Sequence, residues 1–274
     1  MAKSKSSAFR VIAAAIAAAI ASLACMPVVV RAEDQEKPEA TPYRPTVSTP
    51  ATLSAAGWLE AEFGGLYIDD RYDASGTPHR ISLPYALKYA FTEDWGIRVD
   101  GEALVGARLD DGSRQVGFGD TSIVGKRRFE VDEASAFGVE VGLLAPTARR
   151  ALQLGSGKPD WSANGIYSID FGSWHADVNV LETRMGAHEA DSSRWQEQGA
   201  AALSHALGSR WTLAGEVSGT AQRGQASTGQ VLGAASYALR RDCVLDIGAA
   251  RGLNHASPTW QMFTGVTVVL DKLH

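Results

Sequence analysis

Cysteine is nearly absent: the 274 residues contain two. That excludes a disulfide scaffold and a Cys-based zinc site. An excess of positive charge is also missing, with 26 Lys plus Arg against 31 Asp plus Glu. Phosphate binding wants a basic face, so nucleic acid is not an expected partner. Beyond the N-terminus no apolar run is long enough for a transmembrane helix. Metal spacing is lacking too, because no two of the six histidines, His79, His175, His188, His205, His255 and His274, sit at ligand intervals. No cofactor is implied.

What the chain does have begins with a targeting segment. Lys3, Lys5 and Arg10 precede the Ala-rich apolar run Val11–Cys25, and Val30-Arg31-Ala32 offers a cleavage site. This reads as a secretory signal peptide over 1–32. A signal anchor is disfavoured by Pro27, and a lipoprotein signal by Ser22-Leu23-Ala24-Cys25, where Leu sits one place late. Cleavage removes four basic residues and no acid, which moves the net charge from −5 to −9 and leaves Cys243 without a partner.

Residues 33–56 hold Pro38, Pro42, Pro45 and Pro50 among charged, Ser and Thr residues, with no hydrophobic period. The composition predicts a flexible periplasmic segment, a bland linker; a plug or a periplasmic tether is the functional alternative.

From residue 57 onward the period is two. Trp95, Ile97, Val99, Gly101, Ala103 and Val105 alternate with Gly96, Arg98, Asp100, Glu102 and Leu104. Strands are expected at about 57–68, 79–90, 95–106, 117–129, 136–146, 160–171, 174–184, 194–206, 211–220, 228–239, 243–251 and 258–270. The eighth is the weakest, since Ala200–Ala202 give no face preference. Pro84 predicts a local bulge. The connections Phe91–Asp94, Glu130–Ser135, Gly172-Ser173, Leu207–Arg210 and Arg240–Asp242 are short. Asp69–Pro78, Ala107–Val116 and Thr147–Pro159 are longer and polar, whereas Gly252–Ser257 is short. One tight rim and one loopy rim suit an all-β, transmembrane, up-and-down antiparallel β-barrel of about 12 strands over 57–274.

Trp58, Trp95, Trp161, Trp174, Trp195, Trp211 and Trp260 all lie near strand starts, so they populate both rims as an aromatic girdle. A soluble sandwich would place some of them mid-strand in its core. Most strands also exceed the soluble mean of about five or six residues. The expected location is the outer membrane of a Gram-negative envelope, with outer-membrane lipid, a small-molecule solute and the barrel-assembly machinery as partners.

If the apolar face meets lipid, the other lines the lumen. Its acids are then Glu60, Glu62, Asp100, Glu102, Asp120, Glu140, Asp170, Asp177, Glu216 and Asp246; its bases are Lys88, Arg98, Lys126 and Arg128. Such an interior is either a salt-bridged filling or a pore favouring cations and neutral solutes. Trp58 shares the parity of Glu60, and Arg127 falls on the lipid side. Catalytic constellations are poor: His175 and Asp177 share a face without a nucleophile, and Ser204 and His205 point to opposite faces. An enzyme is not expected.

Three stretches, His79–Asp100, Gly117–Phe129 and Arg251–Val268, carry a family resemblance. The Gly117-Phe118-Gly119-Asp120 strand start and the Arg251-Gly252-Leu253-Asn254 loop before the last strand resemble the outer-membrane transporters of the phenol-degradation meta-pathway family. The resemblance spans about 57–270. It implies an outer-membrane barrel taking up small hydrophobic or aromatic compounds, and it supplies no binding residues. The closing Leu270-Asp271-Lys272-Leu273-His274 departs from the usual terminal aromatic. A structural or adhesion barrel with partner-binding outer loops is the alternative, and a lipid-modifying barrel enzyme is the more remote one.

Overall fold

The computed structural model describes residues 36–69, 79–108 and 113–273; the signal-peptide region 1–32 lies outside them. Thirteen strands run in chain order: β1 (Trp58–Asp69), β2 (His79–Ala90), β3 (Trp95–Arg108), β4 (Arg114–Gly117), β5 (Thr121–Asp132), β6 (Ser135–Ala145), β7 (Asp160–Phe171), β8 (Trp174–Arg184), β9 (Trp195–Leu207), β10 (Trp211–Gln222), β11 (Thr228–Arg240), β12 (Cys243–Gly252) and β13 (Trp260–Lys272). Every strand pairing is antiparallel, and β1 pairs with both β2 and β13, which closes the sheet. The result is a 12-strand barrel, because the short β4 and β5 share one place beside β3. Pairing β1 with β13 removes the two open edges of the sheet, whose N–H and C=O groups would otherwise face lipid unpaired.

Side-chain alternation sets inside from outside. Along β6 the residues Ala136, Gly138, Glu140 and Gly142 are buried while Phe137, Val139 and Val141 are exposed. The ambiguous β9 obeys the same rule: Ala200 and Ala202 turn inward and are buried, and Ala201 turns outward. Ladder steps between Trp161↔Arg184 and Phe171↔Trp174 span ten residues. At about 3.3 Å per residue and a tilt near 40°, that is roughly 25 Å, the height of a lipid-facing band.

Two irregularities depart from the simple pattern. The β2–β3 register slips between Leu83 and Pro84, as Pro84 predicts, and Ala103 is the extra residue. Parity in β3 reverses there: Leu104 is exposed and Val105 is fully buried, the opposite of the alternation read from sequence. The strand expected at 117–129 is broken at Phe118–Asp120. Beside it, β3 pairs with β5 only to Gly101↔Thr121 and with β4 only from Val105↔Gly117. Glu102–Leu104 therefore has no continuous ladder on that side.

The largest correction concerns Pro38–Ala56. This segment is no free linker over those residues; it runs inside the barrel and bonds to its inner wall. The four prolines remove N–H donors, and residues 38–55 form neither helix nor strand, with bends at 45–48, 51 and 54. The remaining N–H groups of Thr41, Tyr43, Val47, Ser48, Thr49 and Ala51 all donate to wall side chains.

Candidate functional site

The site is the lumen, and carboxylates of the wall organise it. A buried carboxylate needs donors, because desolvation without hydrogen bonds costs several kcal/mol. Glu60 accepts from Thr41 N at 2.9 Å and Glu62 from Tyr43 N at 2.7 Å. Lys88 lies between them at 2.5 Å from each and donates to Thr41 O at 2.6 Å. Higher up, Glu216 takes Val47 N at 3.1 Å and both Ser48 N and Ser48 Oγ at 2.8 Å. Asn179 clasps Thr49 in both directions, and the Ala51 N–H donates to Ser168 Oγ at 2.7 Å. Ser168 in turn donates to Asp177.

Tyr43 is the knob at the centre. Its ring faces Lys88 at 4.1 Å, Lys126 at 4.2 Å and Arg98 at 5.6 Å. Its hydroxyl donates to Thr52 O at 2.9 Å and accepts from Lys126 at 3.1 Å. Burial holds this phenol above its ordinary value, so it stays neutral among the cations. Lys126 also binds Pro50 O and lies 3.4 Å from Glu140. Arg98 reaches Asp100 at 2.6 Å and Glu140 at 3.4 Å.

Arg44 completes the grip from the segment's own side. It pairs with Asp246 at 3.3 Å and donates to Thr264 O at 3.1 Å. Its guanidinium lies flat against Gly64 and Gly265, where a Cβ would fall 2.7 Å and 2.5 Å from it. Those two glycines provide the groove.

The candidate lumen residues thus separate into groups. Lys88, Arg98, Asp100, Lys126 and Glu140 form one network with Glu60, Glu62 and Tyr43. Asp177, Glu216 and Asp246 each help anchor the segment. Glu102 pairs with Arg80 near the mouth. Asp120 ties an outer loop, accepting from Ala148 N at 2.9 Å and Ser156 N at 2.8 Å. Arg128 pairs with Glu130, and Asp170 is exposed beside His175 at the tight rim. Cys243 is a buried free thiol. The reading by residue type missed an amide series on the inner wall, where Gln196 donates to Gln222, and Gln261 to Gln230. The inward alternation of these glutamines was the available signal.

Two sizeable cavities border the segment, and a third lies apart from it at the wall. One of about 210 Å³ lies at mid-barrel, between Thr49 and the Arg98, Glu140 and Asn179 wall. Another of about 370 Å³ lies toward the tight rim, beside Pro42, Pro45, His175 and Thr212. A third of about 410 Å³ lies at the broken wall. It touches the inward-facing Asp100 and Glu102 as well as Tyr85 and Gly101.

On the outer surface, six tryptophans take outward parity at the two rims. Trp95, Trp174 and Trp211 mark the tight rim; Trp161, Trp195 and Trp260 mark the other. Trp58 keeps the parity of Glu60 and is half-buried. At the tight rim further rings join them, with Tyr89 against Phe91, Phe137 against Tyr167, Trp174 against His205 and Trp211 against Tyr237.

No protein-family model matches the chain, and no curated protein matches it. Solved structures do. An outer membrane channel from Pseudomonas putida F1 superposes with a TM-score of 0.63 at 16% identity, covering 87% of this chain and 100% of that one. The KdgM porin and the NanC porin each give a TM-score of 0.55 at 8% identity, over 77% of this chain and 99% of theirs. At such identities the likeness establishes the fold: this chain is built as outer-membrane channel and porin barrels are.

Proposed function

We propose that the protein is a passive conduit of the outer membrane for small solutes, held in a restricted state by its own Pro38–Ala56 segment. The carrying observation is the fastening of that segment, chiefly by backbone N–H groups, with cavities left on both sides of it. An apolar outer face between two tryptophan levels supports the membrane location. The family resemblance favours small hydrophobic or aromatic compounds as solutes. Planar-bilayer recording of the refolded protein tests the reading. Small discrete steps that grow when residues 38–56 are deleted are expected; a deletion variant that folds yet stays silent would sink it.

A second reading follows from the interrupted wall. The 410 Å³ cavity is lined by inward and outward residues up to Glu102, where the ladder gap of Glu102–Leu104 begins, which favours sideways passage of an apolar solute. Ala103 is exposed in that gap. Ala103→Trp should slow toluene uptake by cells and leave ion conductance unchanged. Equal uptake by the variant and the parent would remove the lateral route.

A further inference from the structure

Arg127 is on the outer face of the wall, in β5, where the period-two pattern calls for an apolar residue. It pairs across with Trp95, the first residue of β3, and with Val139. Its guanidinium stacks 4.8 Å from the Trp95 ring centroid and 4.5 Å from that of Phe129. Among the described residues no carboxylate lies within 4.0 Å of it. Other arginines differ: Arg128 pairs with Glu130 and Arg98 with Asp100 in the same two strands, and Arg240 with Asp242 at the same rim, while Arg251 stacks 4.9 Å from Trp260 at the opposite rim.

A full positive charge on a lipid-facing surface is costly unless something neutralises it. Aromatic stacking offsets part of that cost and occupies the flat faces of the guanidinium. Its N–H donors lie at the edge, where they suit the bidentate geometry of a phosphate. Arg127 stands level with Trp95, at the tight rim, where the membrane leaflet is phospholipid.

We propose that Arg127, with Trp95 and Phe129, is a docking site for the phosphodiester headgroup of a phospholipid in the periplasmic leaflet. The proposal rests on the outer-membrane reading above, and it adds a lipid site outside the lumen. The rings give the lipid an apolar bed, and the guanidinium bonds to the phosphate. The site ties the β3–β5 seam, adjacent to the broken wall, to a lipid of defined charge.

Native mass spectrometry of the refolded protein in neutral detergent, titrated with phosphatidylglycerol, tests this. One adduct that binds about tenfold more weakly in Arg127→Gln, is partly restored in Arg127→Lys and is unchanged in Arg240→Gln is the expected result. Trp95→Leu should weaken the same adduct and gives a second measurement if Arg127→Gln folds poorly. Equal adducts in the parent and both variants would overturn the site. Displacement by millimolar inorganic phosphate would overturn the lipid assignment in favour of a free-phosphate site. A protein with heat-modifiable mobility that binds no phosphatidylglycerol defeats the site and leaves the conduit standing. A chain absent from the outer-membrane fraction defeats both.

Discussion

At the residue scale, the lumen is decided by how its charges are compensated. Lys88 serves two buried carboxylates and one carbonyl at once. Lys88→Met leaves Glu60 and Glu62 facing each other without a cation. Removing one partner from a buried charge cluster costs about 3–5 kcal/mol. We expect a correspondingly lower urea midpoint for the variant folded into vesicles, whereas Arg240→Gln, at an exposed pair, should change the unfolding free energy by less than about 1 kcal/mol. An unchanged midpoint for Lys88→Met would mean water already compensates those carboxylates. The residue types were legible in the sequence, as was their inward parity. Their partners were not. Ten inward acids against four bases imply missing donors, but a backbone N–H has no residue-type signature, so nothing in composition pointed to Thr41, Tyr43 or Ser48.

At the element scale, the barrel strands were readable because alternation and tight turns are local. Gly172-Ser173 and Arg240–Asp242 mark two hairpins by length alone, and those hairpins are present. Pro84 marked a bulge in β2, but the break at Phe118–Asp120 and the parity reversal that the slip imposes on β3 after Ala103 were not readable, because an extra residue changes parity without changing composition. The Arg44 groove belongs to this scale. Gly64 and Gly265 are paired across β1 and β13, and Arg44 lies over both. Gly265→Val puts a branched side chain where the guanidinium sits, and the Asp246 pair must break. The barrel should still fold, while protease cleavage within residues 38–56 becomes faster, as read by mass spectrometry of the fragments. A cleavage rate equal to the parent's would show that the segment is held without Arg44. On the outer face, Val217→Arg tests alternation directly. A charge at mid-band costs about 2–4 kcal/mol in unfolding from vesicles, and the inward Ser218→Arg should escape that lipid penalty.

At the scale of the whole molecule, wall and segment are one electrostatic unit. The segment brings Arg44 and a run of N–H donors; the wall brings Glu60, Glu62, Glu216 and Asp246. With the segment in place the acids are compensated, and the lumen has no strong preference of sign despite its composition. Removing residues 38–56 takes away the donors and Arg44, together with the exposed Glu39, so the formal charge is unchanged while the four wall carboxylates lose their partners. The open barrel therefore gains conductance and turns cation-selective together, because both follow from the same loss. Reversal potentials in a salt gradient measure this: near zero for the intact protein, displaced toward the cation equilibrium potential for the deletion. Adding Glu216→Gln to the deletion should reduce the displacement, since it neutralises one of the exposed acids. A deletion variant that conducts widely without selectivity would mean the wall acids are compensated by Lys88, Lys126 and Arg98 alone, and the segment would then be a steric plug and nothing more.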